Sequence, residues 1–105
     1  MIVHPMNAQV PGDCDLRIQF GSYAMGIDTQ SEEAVRRLLG RDPSVSAVEV
    51  YPWGREGEKT LCVRIRSAAD VERLFDEVSR LLPSDPLGPI SVSTRNGLRA
   101  TAGRG

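Results

Sequence analysis

The chain has 105 residues, of which 40% are apolar and 26% charged, and its formal net charge is −1. These values describe one ordinary globular domain. They exclude a wholly disordered chain, a bilayer span of about 20 apolar residues and a surface built throughout for nucleic acid.

Charge type says more than net charge. Of the 13 basic residues only Lys59 is not Arg. An anion site on this chain would therefore use planar, bidentate guanidinium groups, although a genomic bias toward Arg codons explains the same excess. The bias is uneven along the chain, since Arg95, Arg99 and Arg104 follow the last acid, Asp85.

Residues 1–14 hold Pro5, Asn7, Pro11, Gly12 and Asp13 in quick succession, which predicts a flexible amino-terminal arm. Within it Ile2 and Val3 are suited to pairing along a sheet edge. Residues 15–101 are expected to form a single domain, and 102–105 a frayed tail.

Leu16-Arg17-Ile18-Gln19-Phe20 alternates apolar and polar residues, the period of a half-buried strand. A glycine-containing connection follows. Thr29-Gln30-Ser31-Glu32 matches a capping box, and Ala34, Val35, Leu38 and Leu39 share one helical face, with Gly40 expected as the left-handed stop. Val48 and Val50 alternate with Ala47, Glu49 and Tyr51. Leu61, Val63 and Ile65 alternate with Cys62, Arg64 and Arg66. The Gly-containing loop between these runs predicts an antiparallel hairpin.

Ser67 then precedes a second helix, whose Val71, Leu74, Phe75, Val78, Leu81 and Leu82 form one apolar stripe ended by Pro83. Ile90-Ser91-Val92-Ser93-Thr94 reads as a strand. Asn96-Gly97 is a strong turn signal that predicts a short fifth strand over 98–101.

The order strand, helix, strand, strand, helix, strand resembles the ferredoxin-like βαββαβ arrangement. That resemblance implies an α+β two-layer sandwich, with a four-stranded antiparallel sheet and both helices on one face. It covers about residues 15–95 and rests on no family motif. The helix-covered face is then expected to hold Leu16, Ile18, Phe20, Val48, Val50, Leu61, Val63, Ile65, Ile90 and Val92. The open face is expected to hold Arg17, Gln19, Ala47, Glu49, Tyr51, Cys62, Arg64, Arg66, Ser91, Ser93 and Arg95.

The candidate partner- or ligand-binding residues are Arg17, Glu49, Tyr51, Trp53, Arg64 and Arg66. The guanidinium groups of Arg17, Arg64 and Arg66 are expected near the middle of the open face. Glu49 and Arg64 also suit a cross-strand pair that only stabilises the hairpin. Trp53 suits either a cap on the core or an exposed anchor.

Three families of this topology are disfavoured by residues. The outward positions of the central strands carry no aromatics for stacking RNA bases. The first strand-to-helix loop has neither the Cys pair of metal chaperones nor the Arg of acylphosphatases.

By parity with Leu16, Cys14 is expected on the core side and Cys62 on the open face, so no disulfide between them is expected. Two unpaired cysteines and no basic, apolar leader at Met1–Pro5 predict a cytoplasmic, bacterial protein. The expected function is a non-enzymatic interaction or ligand-binding domain, self-associating through the open face or an edge strand, with a homodimer or another protein as partner. Nucleic-acid binding through the Arg-bearing face and tail is the alternative. A small enzyme using Cys62 or Glu49 is the second. No cofactor, metal or membrane contact is expected.

Overall fold

The alternating runs become strands because one parity set of each can be buried while the other stays polar. A computed structural model describes residues 1–103; the fraying expected at Arg104 and Gly105 lies outside the described residues. The strands are β1 (Ile2–Val3), β2 (Leu16–Phe20), β3 (Val45–Pro52), β4 (Lys59–Ile65), β5 (Ile90–Thr94) and β6 (Arg99–Ala102). The helices are α1 (Thr29–Arg41) and α2 (Ala68–Leu81).

The strands form one mixed six-stranded sheet in the order β1-β3-β4-β2-β5-β6. Pairing is antiparallel from β3 through β6, whereas β1 lies parallel to β3, with Ile2 opposite Glu49 and Val3 opposite Val50. An all-antiparallel, four-stranded sheet therefore does not describe the molecule. The amino-terminal residues add a parallel edge because their amides find free carbonyls along the outer side of β3: His4 N–H donates to Val50 O at 2.8 Å, and Asn7 N–H to Pro52 O at 2.8 Å.

The expected inward residues form the core. Leu16, Ile18, Phe20, Leu61, Val63, Ile90 and Val92 pack with Val35 and Leu39 of α1 and with Leu74, Phe75 and Val78 of α2. Burial of such side chains contributes roughly 1.5–3 kcal/mol each before the entropy cost.

Helix ends differ from expectation at α1. Asp28, not Thr29, is the cap: its carboxylate accepts from Ser31 N–H at 3.0 Å and also from Leu87 N–H at 3.0 Å, tying the helix start to the segment before β5. Gly40 lies inside the helix, and the stop is Asp42, whose side chain binds the amide and hydroxyl of Ser44. A local carboxylate-to-amide turn around Pro43 ends the helix without a left-handed residue. Ser67 caps α2 as expected. Gly88 is required for packing, because a Cβ there would lie 2.2 Å from Gly21 O. Gly97, at φ +102°, makes the turn between β5 and β6.

Leu74 is fully buried on α2. Leu74→Ala is expected to cost about 2–5 kcal/mol in urea unfolding. Leu87→Ala, at an exposed position, should stay within about 0.5 kcal/mol. Equal effects of the two would contradict this core.

Candidate functional site

The face of the sheet opposite the helices is divided. Residues 4–14 leave the β1 edge, turn at Asn7 (φ 64°) and return across β3 and β4 before β2 begins. Ala8 and Val10 pack against a small second cluster of Cys14, Tyr51 and Cys62. Over β2, β5 and β6 the outward side chains Gln19, Arg99 and Thr101 stay exposed.

Cys14 and Cys62 are joined by a disulfide, with Cα atoms 5.3 Å apart. This overturns the expectation that they diverge. Parity with Leu16 holds only within a strand, but β2 starts at Leu16 and the chain bends at Asp15, between the two residues. Cys14 thus reaches the helix-free face, where Cys62 points. A bonded Cys62 has no thiol to act as a nucleophile, so that enzymatic reading is corrected as well.

Around the disulfide lies a polar network. Glu49 faces Cys62 across the β3–β4 pair, and Cys62 faces Arg17 across β4–β2. Glu49 Oε1 accepts from Tyr51 Oη at 2.8 Å and lies 3.1 Å from His4 Nε2; its Oε2 accepts from Arg64 Nε at 3.3 Å. The His4 ring stacks on Tyr51 at a centroid distance of 4.1 Å. Arg64 Nη1 donates to the backbone oxygen and carboxylate of Asp13 at 2.9 and 3.0 Å, and Arg17 donates to Pro11 O. Asp15 caps the end of β4, accepting from Ile65 N–H at 2.8 Å.

Electrostatics follow from these partners. Donation from Tyr51 and His4, with Arg64 adding to it, holds the Glu49 carboxyl below its usual range against the opposing effect of burial. Burial and the neighbouring Glu49 push the Tyr51 phenol up. The bond from Arg64 lowers Asp13, and the same bond raises Arg64. A carboxylate held by three donors is a structural anchor rather than a free proton acceptor.

The six candidate residues are thus not one cluster. Glu49, Tyr51 and Arg64 meet in the network under the amino-terminal segment, and Arg17 borders it. Trp53 lies in the hairpin connection, where its Nε1 donates to Thr60 Oγ1 at 3.1 Å and its ring lines a 390 Å³ hollow with Gln19, Glu58 and Thr101. Arg66 is apart from all of these: its Nε donates to Pro43 O at 3.1 Å. Sequence reasoning did not single out His4 or Asp13 as members, since both fall in a segment rich in turn formers.

Among the described residues, no group of three or more His, Cys, Asp or Glu side chains is placed to hold a metal ion, and no helix is long and apolar enough to cross a membrane. No family model, curated protein or solved structure gives a significant match to the chain.

A carboxylate whose folded-state value is depressed stabilises the fold above its unfolded range, and that contribution is lost as pH falls through the folded value. Glu49 is such a group. Glu49→Gln is expected to lower stability by about 1 kcal/mol at neutral pH. It should also shrink the stability lost between about pH 5 and pH 2, measured by urea unfolding at a series of pH values. An unchanged acid limb would show that Glu49 carries none of this dependence.

Proposed function

We propose that the chain is a non-enzymatic interaction domain that self-associates through the β1 edge. The observation that carries this reading is a group of exposed apolar side chains on that edge: Met1 is 66% exposed, Ile2 59%, Val3 66% and Met6 57%. β1 pairs with β3 on one side only, so its other side offers backbone donors and acceptors beside apolar surface. Proteins usually protect such edges with charge or proline, and contiguous apolar surface marks contact sites. A second copy is the simplest occupant, because antiparallel pairing of β1 with its own copy is two-fold symmetric and self-complementary.

We also read β3-β4-β2-β5 with the two helices as a ferredoxin-like βαββαβ unit. The neighbour order and the helices' shared face support this; β1 and β6 are additions to its two edges. The nucleic-acid alternative loses support, because Arg64 is neutralised by Asp13 and Glu49 and Arg66 is apart from the other guanidinium groups it invokes. The cytoplasmic expectation assumed unpaired cysteines. A bonded Cys14–Cys62 pair instead favours a compartment in which disulfides persist.

Sedimentation velocity tests the edge contact. The oxidised chain is expected to dimerise at high micromolar concentration, and Ile2→Glu with Val3→Glu to shift it to monomer, with little change in the circular-dichroism spectrum. A monomer at all concentrations, or a dimer indifferent to both substitutions, would overturn the reading.

A further inference from the structure

The guanidinium groups of this chain fall into two classes. Arg36, Arg64 and Arg73 each form ion pairs, Arg73 with three carboxylates. Arg17, Arg95 and Arg99 form none among the described residues, yet all three line one hollow of about 400 Å³, with Gly12, Ser93 and Gly97 on its walls.

Sheet register explains the convergence. Arg17, Ser93 and Arg99 are directly opposite one another across β2, β5 and β6. The small Ser93 leaves a gap between two long cations. Neighbouring strands are about 4.8 Å apart, so the backbones bearing Arg17 and Arg99 are separated by roughly 10 Å. An oxyanion accepting from a guanidinium on each side fits that separation. Arg95 adds a third cation from the turn that joins β5 to β6.

That turn is held in place. Thr94 N–H donates to Leu98 O at 2.9 Å, Gly97 N–H to Thr94 O at 3.1 Å, and Leu98 N–H to Thr94 Oγ1 at 3.0 Å. Arg17 is steadied by its bond to Pro11 O. Two carboxylates at this end of the sheet are committed elsewhere: Asp15 to the Ile65 amide, and Asp13, which also feels the charge of Arg95, to Arg64. Three cations without an ion pair among the described residues thus surround one hollow, and their mutual repulsion is relieved when an anion enters.

We propose that this hollow binds the phosphoryl group of a small ligand. Three guanidinium groups approaching from two strands and a turn match tetrahedral oxygens carrying about two charges better than the two coplanar oxygens of a carboxylate. This site is independent of self-association through β1, because β6 and β1 are opposite edges of the sheet.

The test is a titration of the oxidised full chain with inorganic pyrophosphate at low, constant ionic strength, followed by ¹H–¹⁵N NMR. Saturable shifts are expected at Arg17 and across residues 93–99. Arg99→Gln and Arg17→Gln should each weaken binding at least about tenfold, the effect of losing a charge-assisted bond. Arg80→Gln, on the exposed surface of α2, should leave it unchanged. Absence of saturation, or equal weakening by Arg80→Gln, would overturn the site. A short oligothymidylate binding where pyrophosphate does not would overturn the small-ligand assignment in favour of a nucleic-acid surface.

Discussion

The bond between Cys14 and Cys62 ties the amino-terminal segment to a strand inside the sheet rather than at its edge. β4 has neighbours on both sides, so a chain bonded to it must lie over the face. The closed segment spans 48 positions, and restricting it in the unfolded chain is worth about 4 kcal/mol in the chain-entropy account. That is a large share of the stability of a small domain. The ion pairs of Arg64 with Asp13 and Glu49 then act over a geometry the covalent bond already holds, so less side-chain and backbone entropy is lost in forming them.

Fixing the segment there divides the helix-free face. Over β3 and β4 the polar side chains are used internally: Glu49, Tyr51, His4, Arg64 and Asp13 satisfy one another. Over β2, β5 and β6 the outward side chains Gln19, Arg99 and Thr101 stay exposed, and Arg17, Arg95 and Arg99 form no ion pair among the described residues. Net charge hides this division, because it sums over both halves of the face and the rest of the chain. The same segment carries its apolar residues to the outer edge, where Met1, Ile2 and Val3 lie exposed. One excursion of the chain thus neutralises half of a face, leaves the other half cationic and builds an apolar edge.

Much of the fold is legible in residue periodicity. The parity of Leu16-Ile18-Phe20 and of Leu61-Val63-Ile65 identifies the helix-covered face, and Asn96-Gly97 announces β6. Periodicity fails where a residue lies outside the strand it is counted with. Cys14 is two residues before β2, and the bend at Asp15 between them breaks the alternation just after the turn signal Pro11-Gly12-Asp13. Read that way, Cys14 is free to meet Cys62. The role of His4 was not legible, because a stacking contact 47 residues away in sequence leaves no local pattern. Arg64 was placed on the correct face, but its partner Asp13 comes from a segment whose path depends on the disulfide. Arg95 and Arg99 stood out only as a basic tail; their convergence with Arg17 follows from the register of three strands.

The most direct test of the covalent strap is amide hydrogen exchange on the full chain, oxidised and reduced. His4 and Asn7 donate their amides to Val50 and Pro52 beyond the end of β1. Both are expected to be protected in the oxidised chain and to lose protection on reduction, while the amides of β2 and β4 remain protected. Fast exchange at His4 and Asn7 in the oxidised chain, or protection that reduction leaves unchanged, would contradict the account.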